Sequence, residues 1–267
     1  MRIIRFESPT VNEKGEIIIL TQHSAEGFIE DLGNGVGLGM LVIPAGFFQM
    51  GSPPHRGHDD EHPQHFVRIK SFMMARGVIT QAQWKAVVGK MPPCRFKGDS
   101  LPVERVSWED AQRFCQRLSK KSGRNYHLPS EAQWEYACRA GTTTPFGFGE
   151  SLTTDLANYV GEHTYRSEPH GVYRHQTTET GTFPPNAFGL YDMHGNLWEW
   201  CEDSWADDYS SAPRDGSAYQ TRNHARHVAR GGSWHEPPEN CRSALRIGFL
   251  QSEADEFMGF RIVCDIS

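Results

Sequence analysis

The sequence predicts an α+β protein, rich in loops, with short antiparallel strands and about three helices. Three observations carry this. The 267-residue chain holds 26 glycines and 16 prolines, with aromatics at 11%, the make-up of a chain that turns often rather than of a helical bundle. Three segments open on capping residues followed by apolar positions at helical spacing. Elsewhere the apolar residues alternate in short runs with a period of two. The length suffices for a sizeable core, in one large domain or two small ones.

The elements follow in order. Alternation over 6–19, with Asn12-Glu13-Lys14-Gly15 as the turn, predicts a hairpin. Gly33-Asn34-Gly35 marks a boundary, so residues 1–34 read as an appendage packed on a domain at 35–267. Residues 41–49 and 66–70 read as strands. Between them, residues 55–65 hold four histidines and three acids, ligand types for Zn²⁺ or Fe²⁺. Gly57 and Pro63 break any fixed face there, the spacing defines no geometry, and a solvated loop is expected. Thr80 with Gln83 makes a capping box for the first helix. Ser107 caps the second, with Glu109 and Asp110 favoured by the dipole in its first turn and Ala111, Phe114, Cys115 and Leu118 facing inward. Ser130 with Gln133 caps the third, which turns Trp134, Ala137 and Cys138 inward and ends at Gly141. Residues 142–182 and the polar stretch 203–226 read as loops.

Composition excludes several classes. A formal net charge of −6 does not suggest a nucleic-acid-binding surface. No apolar run approaches a membrane span, and the first residues lack the apolar stretch of a secretory signal. A cytoplasmic protein is expected. The six cysteines contain no CxxC pair, which argues against a zinc ribbon and for buried, reduced thiols.

Residues 186–200 form the centre of the chain. Gly189 and Gly195 interrupt any helical period, and residues 192–196 read as a tight turn in which Gly195 or Asn196 takes positive φ. The Leu197-Trp198-Glu199-Trp200 run then alternates like a strand. Asp192 and Glu199 become hard oxygen donors on either side of the reversal, with the Gly195 and Leu197 carbonyls between them, a donor set that suits Ca²⁺. The competing reading is a polar turn with Glu199 in a salt bridge.

The same stretch, NAFGLYDMHGNLWEW, resembles the core signature of the formylglycine-generating enzyme (sulfatase-modifying factor) family. IPAGFFQMGS at 43–52, ITQAQWKAVV at 79–88, PVERVSWEDAQRFCQRLS at 102–119, YHLPSEAQWEYACRAGT at 126–142, ARGGSW at 229–234 and GFRIV at 259–263 follow the family order. The resemblance covers the chain from about residue 35 onward and implies a C-type-lectin-like fold. It implies a structural Ca²⁺ site at Asp192, Gly195, Leu197 and Glu199. A second site would use Asn158 and the Tyr159 carbonyl, but its later acidic ligand has no clean counterpart. Cys115 and Cys138 occupy positions where family disulfides begin, yet their partner positions are Ser243 and Ile262, so that pairing is not expected.

The family oxidase holds copper between two thiolates after its Gly-Gly-Ser-aromatic motif. Here the first position is Glu236, and only Cys241 matches the second; a carboxylate does not replace a thiolate for Cu(I). Copper and formylglycine generation are therefore not expected. The C-terminal motifs Arg230 to Trp234, Arg242 to Arg246 and Gly259 to Val263 also resemble the variable proteins of diversity-generating retroelements, which use this fold to display diversified loops. The resemblance implies a non-catalytic protein that binds a protein or other macromolecular ligand through Trp234, His235, Glu236, Pro237, Arg246, Ile247, Phe249, Leu250 and Phe257. Exposed apolar groups beside charges suit such a patch; the competing reading tucks Phe249 and Leu250 into the core. Arg246 and Arg261 are expected to hydrogen-bond to backbone. The alternative function is an O₂-dependent metalloenzyme of the same family with a divergent site.

Overall fold

In the structure, a computed structural model that describes residues 1–221 and 225–266, twelve strands and three helices are set among long loops. The strands are β1 (Arg2–Val11), β2 (Ile17–Asp31), β3 (Gly37–Ile43), β4 (Gly46–Met50), β5 (His65–Ile69), β6 (Phe72–Ala75), β7 (Tyr126–His127), β8 (Trp198–Ser204), β9 (Arg226–Arg230), β10 (Arg246–Leu250), β11 (Met258–Gly259) and β12 (Val263–Cys264). The helices are α1 (Gln81–Val88), α2 (Trp108–Ser122) and α3 (Glu131–Arg139), all between β6 and β8 apart from the short β7. A six-stranded sheet runs β1-β2-β3-β6-β12-β7, a four-stranded sheet runs β10-β9-β8-β11, and β4 pairs with β5. All pairings are antiparallel except β8 with β11.

All three helices begin on the expected caps, Thr80, Ser107 and Ser130, and at each, Ser107 with Asp110 included, side chain and backbone form a capping box. The third helix stops one residue earlier than its glycine suggests. Ala140 takes the left-handed conformation at φ 44°, and Gly141 follows at φ 93°. The amino-terminal hairpin forms, and β2 continues past it to pair with β3. The leader is thus woven into the large sheet.

The aromatic residues of the WEW run hold the core together. Trp198 and Trp200 are buried beside Phe114, Trp84 and Phe260, with the Trp200 indole donating to the Val106 carbonyl at 3.0 Å. Trp134 anchors a second cluster with Leu41, Val67, Leu190 and Val228. All six cysteines are free and buried. Among the described residues, no helix is long and apolar enough to cross a membrane. Part of the loop expected at 203–226 belongs to β8 and β9, and its residues 222–224 lie outside the described residues, as does Ser267.

Candidate ligand-binding site

The site begins where β9 ends. Gly231 and Gly232 both take positive φ, 97° and 75°. A side chain at Gly232 would place its Cβ 2.6 Å from the Cys241 sulfur, so only glycine lets the two segments close. The turn delivers Trp234, whose backbone N–H donates to the Asn196 carbonyl at 3.0 Å and whose indole donates to the Glu256 carbonyl at 3.4 Å. The indole is 3% exposed. It forms the floor of an aromatic cluster.

Four segments build the walls. Phe96 meets Trp234 edge-on at 5.6 Å, and Phe257 tilts against it at 5.2 Å. His235 stacks on Phe257 at 5.2 Å and 20°. The Tyr173 hydroxyl lies 2.5 Å from His235 Nδ1, and the Tyr173 ring packs against His175 at 3.7 Å. Arg95 lies over Phe96 and Trp234, 5.2 and 6.0 Å from the ring centres, with its charge paired to Glu256. Arg105 holds the other Glu256 oxygen at 2.7 Å. His235, His175 and Arg95 are exposed, while Tyr173, Phe96 and Phe257 are half-buried. The result is an aromatic surface with imidazole and guanidinium groups at its rim.

Glu236 and Cys241 lie beside this floor, and neither is free. Glu236 accepts from the Trp198 indole at 3.3 Å and from Asn240 at 2.7 Å. Cys241 has no exposure, and burial together with the Glu236 and Glu239 charges pushes its thiol well above the ordinary range. A protonated thiol is a poor metal ligand. One engaged carboxylate and one buried thiol do not form a pair of thiolates.

The other expected site residues divide. Trp234, His235, Glu236 and Phe257 gather here, with Pro237 half-buried on the same turn. Arg246, Ile247, Phe249 and Leu250 do not lie in an exposed loop: they form β10, paired with β9. Arg246 is interior. It binds Glu131 through Nε at 2.7 Å and Nη2 at 2.9 Å, and it donates to the carbonyls of Ala206 and Asp60. Phe249 packs edge-on against Trp198 and Trp200, and only Leu250 of this strand is exposed. The period-two spacing of residues 246–250 is the signature of that strand. Phe96, Tyr173, His175 and Arg95 were not expected. They sit in separate irregular loops, where no local period ties them to Trp234.

The expected Ca²⁺ donors are partly engaged. Asp192, Gly195 and Asn196 all take positive φ, at 56°, 73° and 66°, and fold the tight turn. Both Glu199 oxygens accept from Arg261, at 2.6 and 2.7 Å, and the Trp134 indole adds a third bond at 3.0 Å. The salt-bridge reading of Glu199 is therefore realised, and Arg261 binds this carboxylate as well as the Tyr191 and Asp192 carbonyls. Asp192 differs. Its Oδ2 accepts from the Gly181 N–H at 2.8 Å, but its Oδ1 is buried without a partner, and burial pushes the carboxyl up to about 6. An orphaned carboxylate oxygen is what a bound cation would explain. Of the two expected carboxylate donors, Asp192 offers that unpartnered oxygen to a cation, while both Glu199 oxygens are already held by Arg261.

Comparison with known proteins gives the chain its place. A family model described as the sulfatase-modifying factor enzyme 1-like domain matches residues 33–266. The chain belongs to this family. Within the sulfatase-modifying factor family it is similar to inactive C-alpha-formylglycine-generating enzyme 2 of Bos taurus, 26% identical over 86% of this chain and 89% of that protein. Among solved structures it is similar to PvdO from Pseudomonas aeruginosa, with a TM-score of 0.79 and 33% identity over 90% of this chain and 98% of that one. Treponema denticola variable protein 1 shares the fold, with a TM-score of 0.77 and 24% identity over 90% and 99% of the two chains.

Proposed function

We propose that this family member is a non-catalytic ligand-binding protein, and that it binds a protein or other macromolecule on the aromatic surface over Trp234. One observation supports it above the rest. The wall residues are aromatics packed on Trp234, apolar Phe96 and Phe257 beside polar Tyr173 and His235, drawn from separate loops, next to a position where the sulfur pair of the oxidases is replaced by Glu236 and a buried Cys241. Rigid aromatics bind at low entropic cost, and hot spots favour them. The finer form of the proposal is a variable protein of the retroelement type, with residues 235–237 and Phe257 at the diversified face. Ca²⁺ at Asp192 has a structural role in it, clamping the turn that carries the Asn196 carbonyl to which Trp234 is bonded. A cytoplasmic setting suits six unpaired, buried thiols.

The test is partner capture with two baits. A partner retained by the wild-type chain should be lost with His235→Ala, with affinity lower by about tenfold or more for a central contact. Equal capture by both baits would place the binding face elsewhere. Stoichiometric copper or iron in the purified protein, with O₂ consumption, would replace the proposal by the oxidase reading.

A further inference from the structure

The histidine-rich loop at 55–65 lies outside the aromatic site, and only Glu61 and His65 of its histidines and acids are buried. Its spacing in sequence defines no geometry, but its fold does. A single 3-10 turn, Asp59–Glu61, follows His58. It brings one ligand atom from each of His58, Asp60 and Glu61 within 4.8 Å of one another.

Each residue has a different standing. Glu61 is fixed: Arg242 donates to Oε2 at 2.9 Å and to Oε1 at 2.6 Å, and Ser52 also donates to Oε2. An ionised carboxylate oxygen has more than one acceptor site, so Oε1 keeps capacity for a further ligand. Asp60 is unsatisfied: its Oδ1 is buried and has no hydrogen-bond partner. Arg246 bonds the Asp60 backbone carbonyl, not its side chain. The orphaned Asp60 oxygen, beside a Glu61 already paired with Arg242, is what a bound cation would satisfy. His58 is exposed and lines a cleft of about 440 Å³ shared with Ser52 and Arg242, which leaves solvent access.

We propose that His58, Asp60 and Glu61 bind a divalent ion of the zinc class and so staple the 55–62 loop to the body of the protein. One imidazole and two carboxylates make a mixed N/O set that zinc accepts in tetrahedral geometry with water as the fourth ligand. Mg²⁺ and Ca²⁺ prefer all-oxygen shells and are poorer occupants. Arg242 acts as a positioning residue, holding Glu61 in the orientation the ion needs. This site is separate from Asp192 and does not depend on the ligand-binding proposal.

The experiment is calorimetric titration of the metal-free chain with Zn²⁺ in the presence of Mg²⁺. One site is expected, weakened by about tenfold or more in His58→Ala and in Asp60→Asn. His55→Ala and His62→Ala, which change the same loop outside the trio, should bind as the wild type does. Circular dichroism of each variant checks that the fold is kept. Absence of Zn²⁺ binding overturns the proposal. So does wild-type affinity in either His58→Ala or Asp60→Asn, or an equal loss in the His55 and His62 variants, which would mark unspecific capture by surface imidazoles.

Discussion

His194 shows how one residue can set the acid limit of the fold. Its Nε2 accepts from the Gly147 N–H at 2.9 Å, and its Nδ1 faces the Cys241 carbonyl at 2.7 Å, so the proton sits on Nδ1. A second proton would confront the Gly147 donor in a dry site near Arg139. Burial lowers the pKa to about 4. As pH falls, the unfolded chain takes up this proton first, near 6.5, and the folded chain only near 4. Stability is therefore lost between those values and changes no further below them, by about 3 kcal/mol at one pKa unit per 1.4 kcal/mol. His194→Gln, whose amide can donate and accept at the same places, should flatten the urea-unfolding stability between pH 6.5 and 4. A slope unchanged by the substitution would remove His194 from that role. None of this could be read from the histidine in sequence, because its two partners lie 47 residues away in each direction.

At the scale of elements, the helix starts were the most legible part of the chain. A cap needs only a Ser or Thr with Gln or Asp three residues on, so the signal is local and complete. Ser107 accepts from the Asp110 N–H at 3.1 Å, and Asp110 reaches back to the Ser107 N–H at 3.2 Å. Ser107→Ala should cost about 1 kcal/mol in urea midpoint terms. A neutral effect would show that packing of Phe114 and Leu118 alone holds α2. β10 was misread for the opposite reason. Its period of two spans only five residues with Gly248 among them, too short a run to settle a strand before its pairing with β9 is seen. Arg246 followed the same pattern. Its role is set by Glu131, with Tyr209 donating to the same carboxylate, and no spacing announces a buried ion pair between residues 115 apart.

For the whole molecule, fold and family were readable because seven motifs recur in order, whereas only Trp234, His235, Glu236 and Phe257 of the aromatic cluster were. The frame depends on a few polar clamps inside it, among them Glu199 with Arg261, Glu131 with Arg246 and Glu61 with Arg242. Asp192 is the clamp left incomplete. Ca²⁺ should raise the melting temperature of the full chain relative to a Ca²⁺-selective chelator, by the equivalent of about 2.7 kcal/mol at a hundredfold excess over Kd. Asp192→Asn should abolish the difference, and an identical melting temperature in the wild type with and without Ca²⁺ would rule the ion out at this turn.

Because Phe96, Tyr173, His235 and Phe257 reach the Trp234 floor from four separate segments, the proposed recognition face has no contiguous cassette. A library confined to residues 235–257 would rewrite two of its walls and leave the other two as they are. Re-targeting this scaffold therefore calls for codons changed around residues 95 and 173 as well, and a linear peptide cut from any one segment should show no residual affinity.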